Sequence, residues 1–212
     1  MSFNKTGPLQ QITYQGRNVT PSKIVCVGRN YVAHIRELDN DVPEEMVVFV
    51  KPNSSISEVL RASHDEADLH YEGELSFLIE NGRFAAIGFG LDLTKRELQS
   101  TLKSKGLPWE RAKGFNGAAL FSQFVEIPGS LGGIHFELDI NGRTIQSGNI
   151  QLMMYKPADI LDELASFMTL VDGDIVMTGT PKGVGLVNVG DKFNARVYHS
   201  DKVLVSAEWS AV

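Results

Sequence analysis

Short segments of apolar or alternating apolar and polar residues run through most of the chain, and they predict β-strands. The apolar runs at residues 24–27, 46–50 and 175–177 have the length of buried strands. Two Asn-Gly dipeptides, which begin at Asn81 and Asn141, stand between strand-like segments and predict hairpin turns. The pattern therefore predicts a mostly β fold.

Helical spacing is confined to short stretches. Residues 31–38 place side chains along one side of a short helix, and a longer helix with an apolar face is expected to start at Pro157. A third helix is expected from Thr94 to about Lys105, with Glu97 completing a capping box. We thus expect mostly β structure with short helices (α+β).

Length, charge and cysteine content narrow the class of protein. The chain has 212 residues, which we divide into a short N-terminal arm, residues 1–22, and one domain, residues 23–212. The net charge of −6 argues against a nucleic-acid-binding protein. Cys26 is the only cysteine, so no internal disulfide can form, which fits a cytoplasmic location. No signal-peptide core and no run of 18 apolar residues occurs, so we expect no membrane span.

The stretch HYEGEL, which begins at His70, carries the most specific chemical signal. Residues 71–80 are predicted to form a strand, on which Glu72 and Glu74 point to the same face. Two adjacent carboxylates repel each other unless a cation neutralises them, and hard cations prefer oxygen ligands. The alternative is a solvated strand face.

Three further positions have residue types suited to catalysis. His34 and Glu37 are three residues apart and therefore neighbours on a helix, although such pairs also occur on ordinary helix surfaces. Lys51 ends a buried strand, where it is either solvated at the rim or directed into a cleft. Asp92 lies at a predicted strand-to-helix junction, where a side chain can point into a pocket.

Seven motifs occur in a recognisable order: VGRNYVAHIREL, FVKP, HYEGEL, LDLTKRELQ, KGLPWERAKGF, QSGN and DIVMTGTPKGVG. Together they closely resemble the fumarylacetoacetate hydrolase family, in its C-terminal catalytic domain. The KGLPW segment is similar to that of the small acylpyruvases and oxaloacetate decarboxylase-like members. The resemblance runs from Lys23 to the C-terminus and implies a mixed β-sheet roll.

The resemblance implies a divalent metal site. The family's two glutamates and downstream aspartate correspond to Glu72, Glu74 and Asp92. The metal would be Mg²⁺, with Mn²⁺ or Ca²⁺ as alternatives, because hard carboxylate ligands do not by themselves distinguish these ions.

The resemblance also implies a catalytic dyad. His34 would take a proton from water, and Glu37 would orient its imidazole. Lys51 corresponds to a lysine that supports this dyad in the family. The family residues that contact substrate correspond to Arg29, Arg96, Gln99, Lys113 and Thr180. The alternatives are a surface ion pair for Arg96 and a turn hydroxyl for Thr180.

The implied activity is metal-dependent hydrolysis of a carbon–carbon bond in a small 2,4-dioxo acid such as an acylpyruvate. Oxaloacetate decarboxylation, or tautomerisation of a 2-oxo acid, would use the same residues, and a non-catalytic metal-binding protein is a further alternative. The expected partners are a small anionic 2-oxo acid and a second copy of the chain. Three departures from the family pattern leave the substrate open: a short hairpin between Glu74 and Asp92, Ile150 after QSGN, and the segment after Phe115.

Overall fold

The computed structural model describes residues 7–37 and 45–212, and it confirms the mostly β architecture. Residues 12–19 of the N-terminal segment form a hairpin of two short strands. The strands are β1 Ile12–Tyr14, β2 Arg17–Val19, β3 Lys23–Gly28, β4 Val47–Pro52, β5 Ser63–His64, β6 Ala67–Asp68, β7 His70–Tyr71, β8 Gly73–Glu80, β9 Arg83–Asp92, β10 Ala119–Phe121, β11 Val125–Glu126, β12 Ile134–Ile140, β13 Arg143–Asn149, β14 Ile175–Met177, β15 Gly185–Leu186, β16 Lys192–His199 and β17 Lys202–Ser210.

The helices are short and lie between strands. They are α1 Val32–Glu37, α2 Arg96–Ser104, α3 Glu110–Lys113 and α4 Pro157–Phe167, with single 3-10 turns at Asn53–Ser55 and Ile150–Leu152. Among the helices in the described ranges, none combines the length and the apolar character that crossing a membrane would require.

Two larger sheets form the body of the described part of the chain. Seven strands form the first sheet, in the order β10-β9-β8-β14-β3-β4 with β11 also paired to β9. The pairing of β14 with β3 is parallel and the other pairings are antiparallel, so this sheet is mixed, as expected. The second sheet is antiparallel, in the order β13-β12-β16-β17.

The largest hydrophobic core contains side chains from both sheets. Phe89 of the first sheet contacts Phe136 of the second, with ring centroids 5.2 Å apart. Both rings are fully buried, as is Phe77. Burial of this kind stabilises a fold by roughly 1.5–3 kcal/mol per large apolar side chain. The packing holds β8 and β9 firmly, and these two strands carry the acidic motif.

Most predicted elements are present, with boundaries shifted by a few residues. The predicted strand at residues 71–80 is interrupted at Glu72, which lies between β7 and β8. The Asn-Gly hairpin at Asn81 joins β8 to β9, and the strand predicted at residues 175–177 is β14. Leu38, the expected end of the first helix, lies outside the described residues.

One local expectation was wrong. The helix predicted from Thr94 begins at Arg96, and Thr94 makes no capping hydrogen bond to it. The Thr94 hydroxyl instead accepts a hydrogen bond from Nζ of Lys113 at 2.6 Å. Here a contact distant in sequence overrides the local signal.

A buried carboxylate joins the start of β3 to the loop before β14. Asp174 is fully buried, and it accepts hydrogen bonds from the Ser22 hydroxyl at 2.6 Å and from the backbone N–H of Val171 at 3.0 Å. Lys23 forms an ion pair with the same carboxylate. Burial opposes ionisation, but these donors outweigh it and lower the pKa of Asp174.

We expect D174N to lower the free energy of unfolding by about 2–3 kcal/mol, because the substitution leaves these donors imperfectly paired. The exposed residue Asp201 provides the control D201N. Because the folded-state pKa is lowered, the stabilisation is complete above about pH 4 and is lost as the pH falls through the folded pKa. Urea unfolding at pH 7 and pH 3 measures both effects. Equal stability of D174N and D201N at pH 7 would contradict this account.

Candidate active site

Three buried carboxylates converge at one end of β8 and β9. Glu72 precedes β8, Glu74 lies on it, and Asp92 ends β9. One oxygen from each lies within 4.8 Å of the others, and all three residues are buried. Their proximity follows from the register, since Glu74 is paired with Gly90 and the N–H of Asp92 donates to the carbonyl of Glu72 at 2.8 Å.

Cationic side chains surround this cluster. Nζ of Lys113 lies 2.9 Å from Oε2 of Glu72 and 2.7 Å from Oδ2 of Asp92. Arg96 forms an ion pair with Glu72 and donates from Nη1 to Oε1 of Gln99 at 2.8 Å. Burial lowers the pKa of Lys113, but the charges of Asp92 and Glu72 outweigh burial, so the net shift is upward. Lys113 is therefore a charged ammonium group.

Lys51 is a third cation of this cluster and contacts Asp92. Its Nζ lies 2.8 Å from Oδ1 of Asp92. The ammonium donates to the backbone carbonyls of Leu93, Lys113 and Ala118. Oδ1 of Asp92 consequently makes no hydrogen bond within the described ranges, although it is buried. Such an oxygen retains lone pairs for a cation.

Glu74 is the carboxylate whose charge is least well compensated. Burial is the main cause, and the charges of Asp92 and Glu72 add to it, so the pKa of Glu74 lies well above its usual value. The backbone N–H of Gly179 partly offsets this shift by donating to Oε2 at 2.7 Å. Gly179 has φ of +95°, and a Cβ there would lie 2.8 Å from that of Asn30. Only glycine therefore lets this loop reach Glu74 without strain.

The cluster lines a narrow cleft that is partly open to solvent. The cleft brings together eight of the eleven residues selected from the sequence, which are Arg29, Glu72, Glu74, Asp92, Arg96, Gln99, Lys113 and Thr180. Its inner end is acidic and its outer wall is basic. This arrangement suits a small anion that approaches a cation held by the carboxylates.

The proposed dyad lies on helix α1. Glu37 is exposed, and its carboxylate accepts the backbone N–H of Gly183 at 2.9 and 3.1 Å. His34 belongs to the same helix, but its side chain lies outside the described part of the structure. The dyad therefore stays a prediction. The contacts described above place Lys51 against Asp92, and its expected support of the dyad also stays a prediction.

Sequence reasoning missed two residues of the outer wall, Lys103 and Trp109. Lys103 follows Arg96 by seven residues and Gln99 by four on α2, so helical spacing could have identified it. Burial, with Arg29 and Arg96 adding positive charge, lowers the pKa of Lys103. Trp109 lies within KGLPW, a motif that was noted without a role for its ring.

Comparison with known proteins identifies the family to which this chain belongs. A family model described as fumarylacetoacetate (FAA) hydrolase C-terminal matches residues 23–209. The chain belongs to the fumarylacetoacetate hydrolase family. The resemblance inferred from the seven motifs is thus confirmed.

Several named proteins are similar to this chain over most of its length. A mitochondrial oxaloacetate tautomerase of Arabidopsis thaliana is 37% identical over 96% of each chain. An oxaloacetate tautomerase of Escherichia coli is 38% identical over 81% of this chain and 86% of its own. Fumarylpyruvate hydrolase from Pseudomonas aeruginosa, solved with Mn²⁺ and pyruvate, has a TM-score of 0.85 at 26% identity, covering 100% of this chain and 99% of that chain.

The donor set of this chain fits a divalent cation. Three hard carboxylate oxygens converge, Oδ1 of Asp92 accepts no hydrogen bond within the described ranges, and the charge of Glu74 is poorly compensated. A bound cation would favour the ionised form of Glu74 and so counter both the burial and the repulsion that raise its pKa. Positions not filled by protein oxygens would remain open for a substrate.

The site predicts opposite effects of E74Q with and without metal. In EDTA, E74Q should melt above the parent protein, because the repulsion between carboxylates is reduced while the amide oxygen still accepts from Gly179. With Mn²⁺ at about 100 times its Kd, the parent should gain about 2.7 kcal/mol, or roughly 5–10 °C in Tm. E74Q should lose this gain, as followed by calorimetry.

The matched control is E80Q, at the partly exposed far end of the same strand. E80Q should keep the full Mn²⁺-dependent rise in Tm. A rise of parental size in E74Q would contradict the assignment of Glu74 as a ligand.

Proposed function

We propose that this chain is a divalent-metal-dependent enzyme that promotes keto–enol tautomerisation of a small 2-oxo dicarboxylic acid, with oxaloacetate as the first substrate to test. The observation that carries the proposal is the convergence of Glu72, Glu74 and Asp92 at the inner end of a cleft with a basic wall. Similarity to the two oxaloacetate tautomerases supports this choice of substrate.

The basic wall binds and orients the substrate. Arg29, Arg96 and Lys103 line the outer cleft, and their positive charges attract a dicarboxylate. Gln99 fixes the guanidinium of Arg96 through its 2.8 Å hydrogen bond. An anion held by these side chains presents its 2-oxo group toward the carboxylate cluster.

The inner end of the cleft stabilises the charge that develops on the 2-oxo oxygen. A cation held by Glu72, Glu74 and Asp92, Mg²⁺ in our proposal, would supply positive charge against this enolate oxygen. Lys113 keeps Glu72 and Asp92 in position and adds a second positive charge nearby. Tautomerisation moves a proton between C3 and the enol oxygen, and His34, oriented by Glu37, is the proposed group that takes the C3 proton in enolisation and returns it to C3 in the reverse direction.

Oxaloacetate with and without chelator tests this proposal. The parent chain in Mg²⁺ should accelerate the loss of enol absorbance well above the buffer rate, and EDTA should remove the acceleration. D92N should lose at least about 100-fold in kcat/KM, because a ligand that positions the charge is removed. The exposed control D201N should retain parental activity. Lack of acceleration by the parent chain in both Mg²⁺ and Mn²⁺ would contradict the proposal.

Hydrolysis of an acylpyruvate is the second candidate. Similarity to the Pseudomonas aeruginosa fumarylpyruvate hydrolase favours it, since that structure covers the whole of this chain. Hydrolysis requires water at the distal carbonyl, which would be the task of His34 and Glu37. Decarboxylation of oxaloacetate, named for a relative in Dictyostelium discoideum, requires no attacking water.

The role of His34 can be separated from that of the metal ligands. If the chain hydrolyses acylpyruvates, H34A should reduce this hydrolysis by about 10²–10⁴-fold, because a base must take the proton of the attacking water. Oxaloacetate decarboxylation should be affected far less, whereas E72A should impair both. Stopped-flow rates on acetylpyruvate and oxaloacetate give the comparison. Parental hydrolysis by H34A would contradict the dyad assignment.

We also propose that the chain forms a homodimer in the cytoplasm. Strand β4 is an edge of the larger sheet, and residues 47–50 are apolar and only partly buried, so a second copy offers a way to cover them. The single cysteine fits a reducing compartment and is the observation behind the proposed cytoplasmic location. Several named relatives are mitochondrial, so the compartment of this chain has to be determined by direct localisation.

A further inference from the structure

Gln146 is a buried polar residue to which the proposed mechanism gives no role. It lies on β13 within the QSGN motif and is 1% exposed, whereas its neighbours Ile145 and Ser147 are exposed. Strand β13 contains a bulge here, because Leu138 is paired with Gln146 while Asp139 is paired with Thr144. A bulge changes the direction in which nearby side chains point, and this one lies next to the inward-facing Gln146.

The amide of Gln146 joins two segments of the candidate site. Its Oε1 accepts the backbone N–H of Gly73 at 2.8 Å, and its Nε2 donates to Oγ1 of Thr180 at 2.9 Å and to the carbonyl of Pro181 at 3.0 Å. The partners define the amide orientation, since a flipped amide would place N–H against N–H. Thr180 in turn donates from its hydroxyl to the carbonyl of Gly73 at 2.9 Å, which closes the network.

Gly73 is the residue between the two glutamates of the acidic motif. A Cβ at this position would lie 2.8 Å from the ring of Phe89 and 2.9 Å from Oε1 of Gln146, so the backbone is held at close range. Any displacement of this peptide would move Glu72 and Glu74 relative to each other. The network also fixes Thr180 next to Gly179, whose N–H holds the carboxylate of Glu74.

We propose that Gln146 is a positioning residue that sets the spacing of Glu72 and Glu74 and thereby the affinity of the site for a divalent cation. This inference rests on the metal-dependent function proposed above. Gln146 touches neither the cation nor the substrate in this account. Residues that orient metal ligands typically contribute 10–100-fold in affinity.

Calorimetric titration with Mn²⁺ tests the inference without using activity. Q146M has nearly the parental volume but loses the hydrogen bonds of the side-chain amide, and we expect its Kd for Mn²⁺ to rise about 10-fold or more. Q146N is a neutral variant too short to reach both Gly73 and Thr180, and its Kd should rise as well. The controls are Q151M and Q151N at an exposed glutamine, with Kd unchanged.

The dissociation constant separates positioning from a purely structural role. A structural role would lower Tm and the number of binding-competent molecules, but would leave the Kd of the folded fraction at the parental value. A change of less than threefold in Q146M, or in Q146N if Q146M does not fold, overturns the inference. If the parent chain binds Mn²⁺ and Gln146 variants bind equally well, only this inference fails. If the parent chain binds no divalent cation, the proposed function fails with it.

Discussion

The interaction on which the rest of the site depends is the mutual repulsion of three carboxylates enclosed in the protein interior. An uncompensated buried charge costs several kcal/mol, so the fold must surround these groups with cations and donors. Lys51 comes from β4, Arg96 from α2 and Lys113 from α3. Electrostatic compensation therefore ties three separate segments to the ends of β8 and β9. The compensation is incomplete at Glu74, where a bound divalent cation would stabilise the arrangement most.

The same constraint explains the polarity of the cleft. Cations placed against the carboxylates occupy the inner wall, and further cations, Arg29 and Lys103, extend positive charge to the opening. The proposed 2-oxo dicarboxylic acid matches this distribution of charge, because its distal carboxylate would meet the basic wall while its 2-oxo oxygen would face the cation proposed at the acidic end. Strand packing between Phe89 and Phe136 provides the rigid support that such a geometry requires.

The sequence was most informative where chemistry and local pattern coincide. The alternation after HYEGEL and the Asn-Gly turn at Asn81 were sufficient to predict the β8–β9 hairpin, and the family motifs indicated Asp92 as the third carboxylate. Local signals failed where distant contacts decide the structure. Thr94 was expected to cap a helix but binds Lys113, and nothing in the spacing of FVKP showed that Lys51 would approach Asp92. The role of Gln146 depends on a bulge and on two loops, none of which is visible in one stretch of sequence.

The central claim is that Glu72, Glu74 and Asp92 together bind one divalent cation, and a crystal structure of the parent chain grown with Mn²⁺ tests it most directly. Anomalous scattering locates Mn²⁺ independently of any assumption about its ligands. We expect one strong peak within about 2.0–2.5 Å of an oxygen from each of the three carboxylates. A well-ordered crystal grown in saturating Mn²⁺, with the carboxylates paired to Lys51, Lys113 and Arg96 and no anomalous peak between them, would contradict the account.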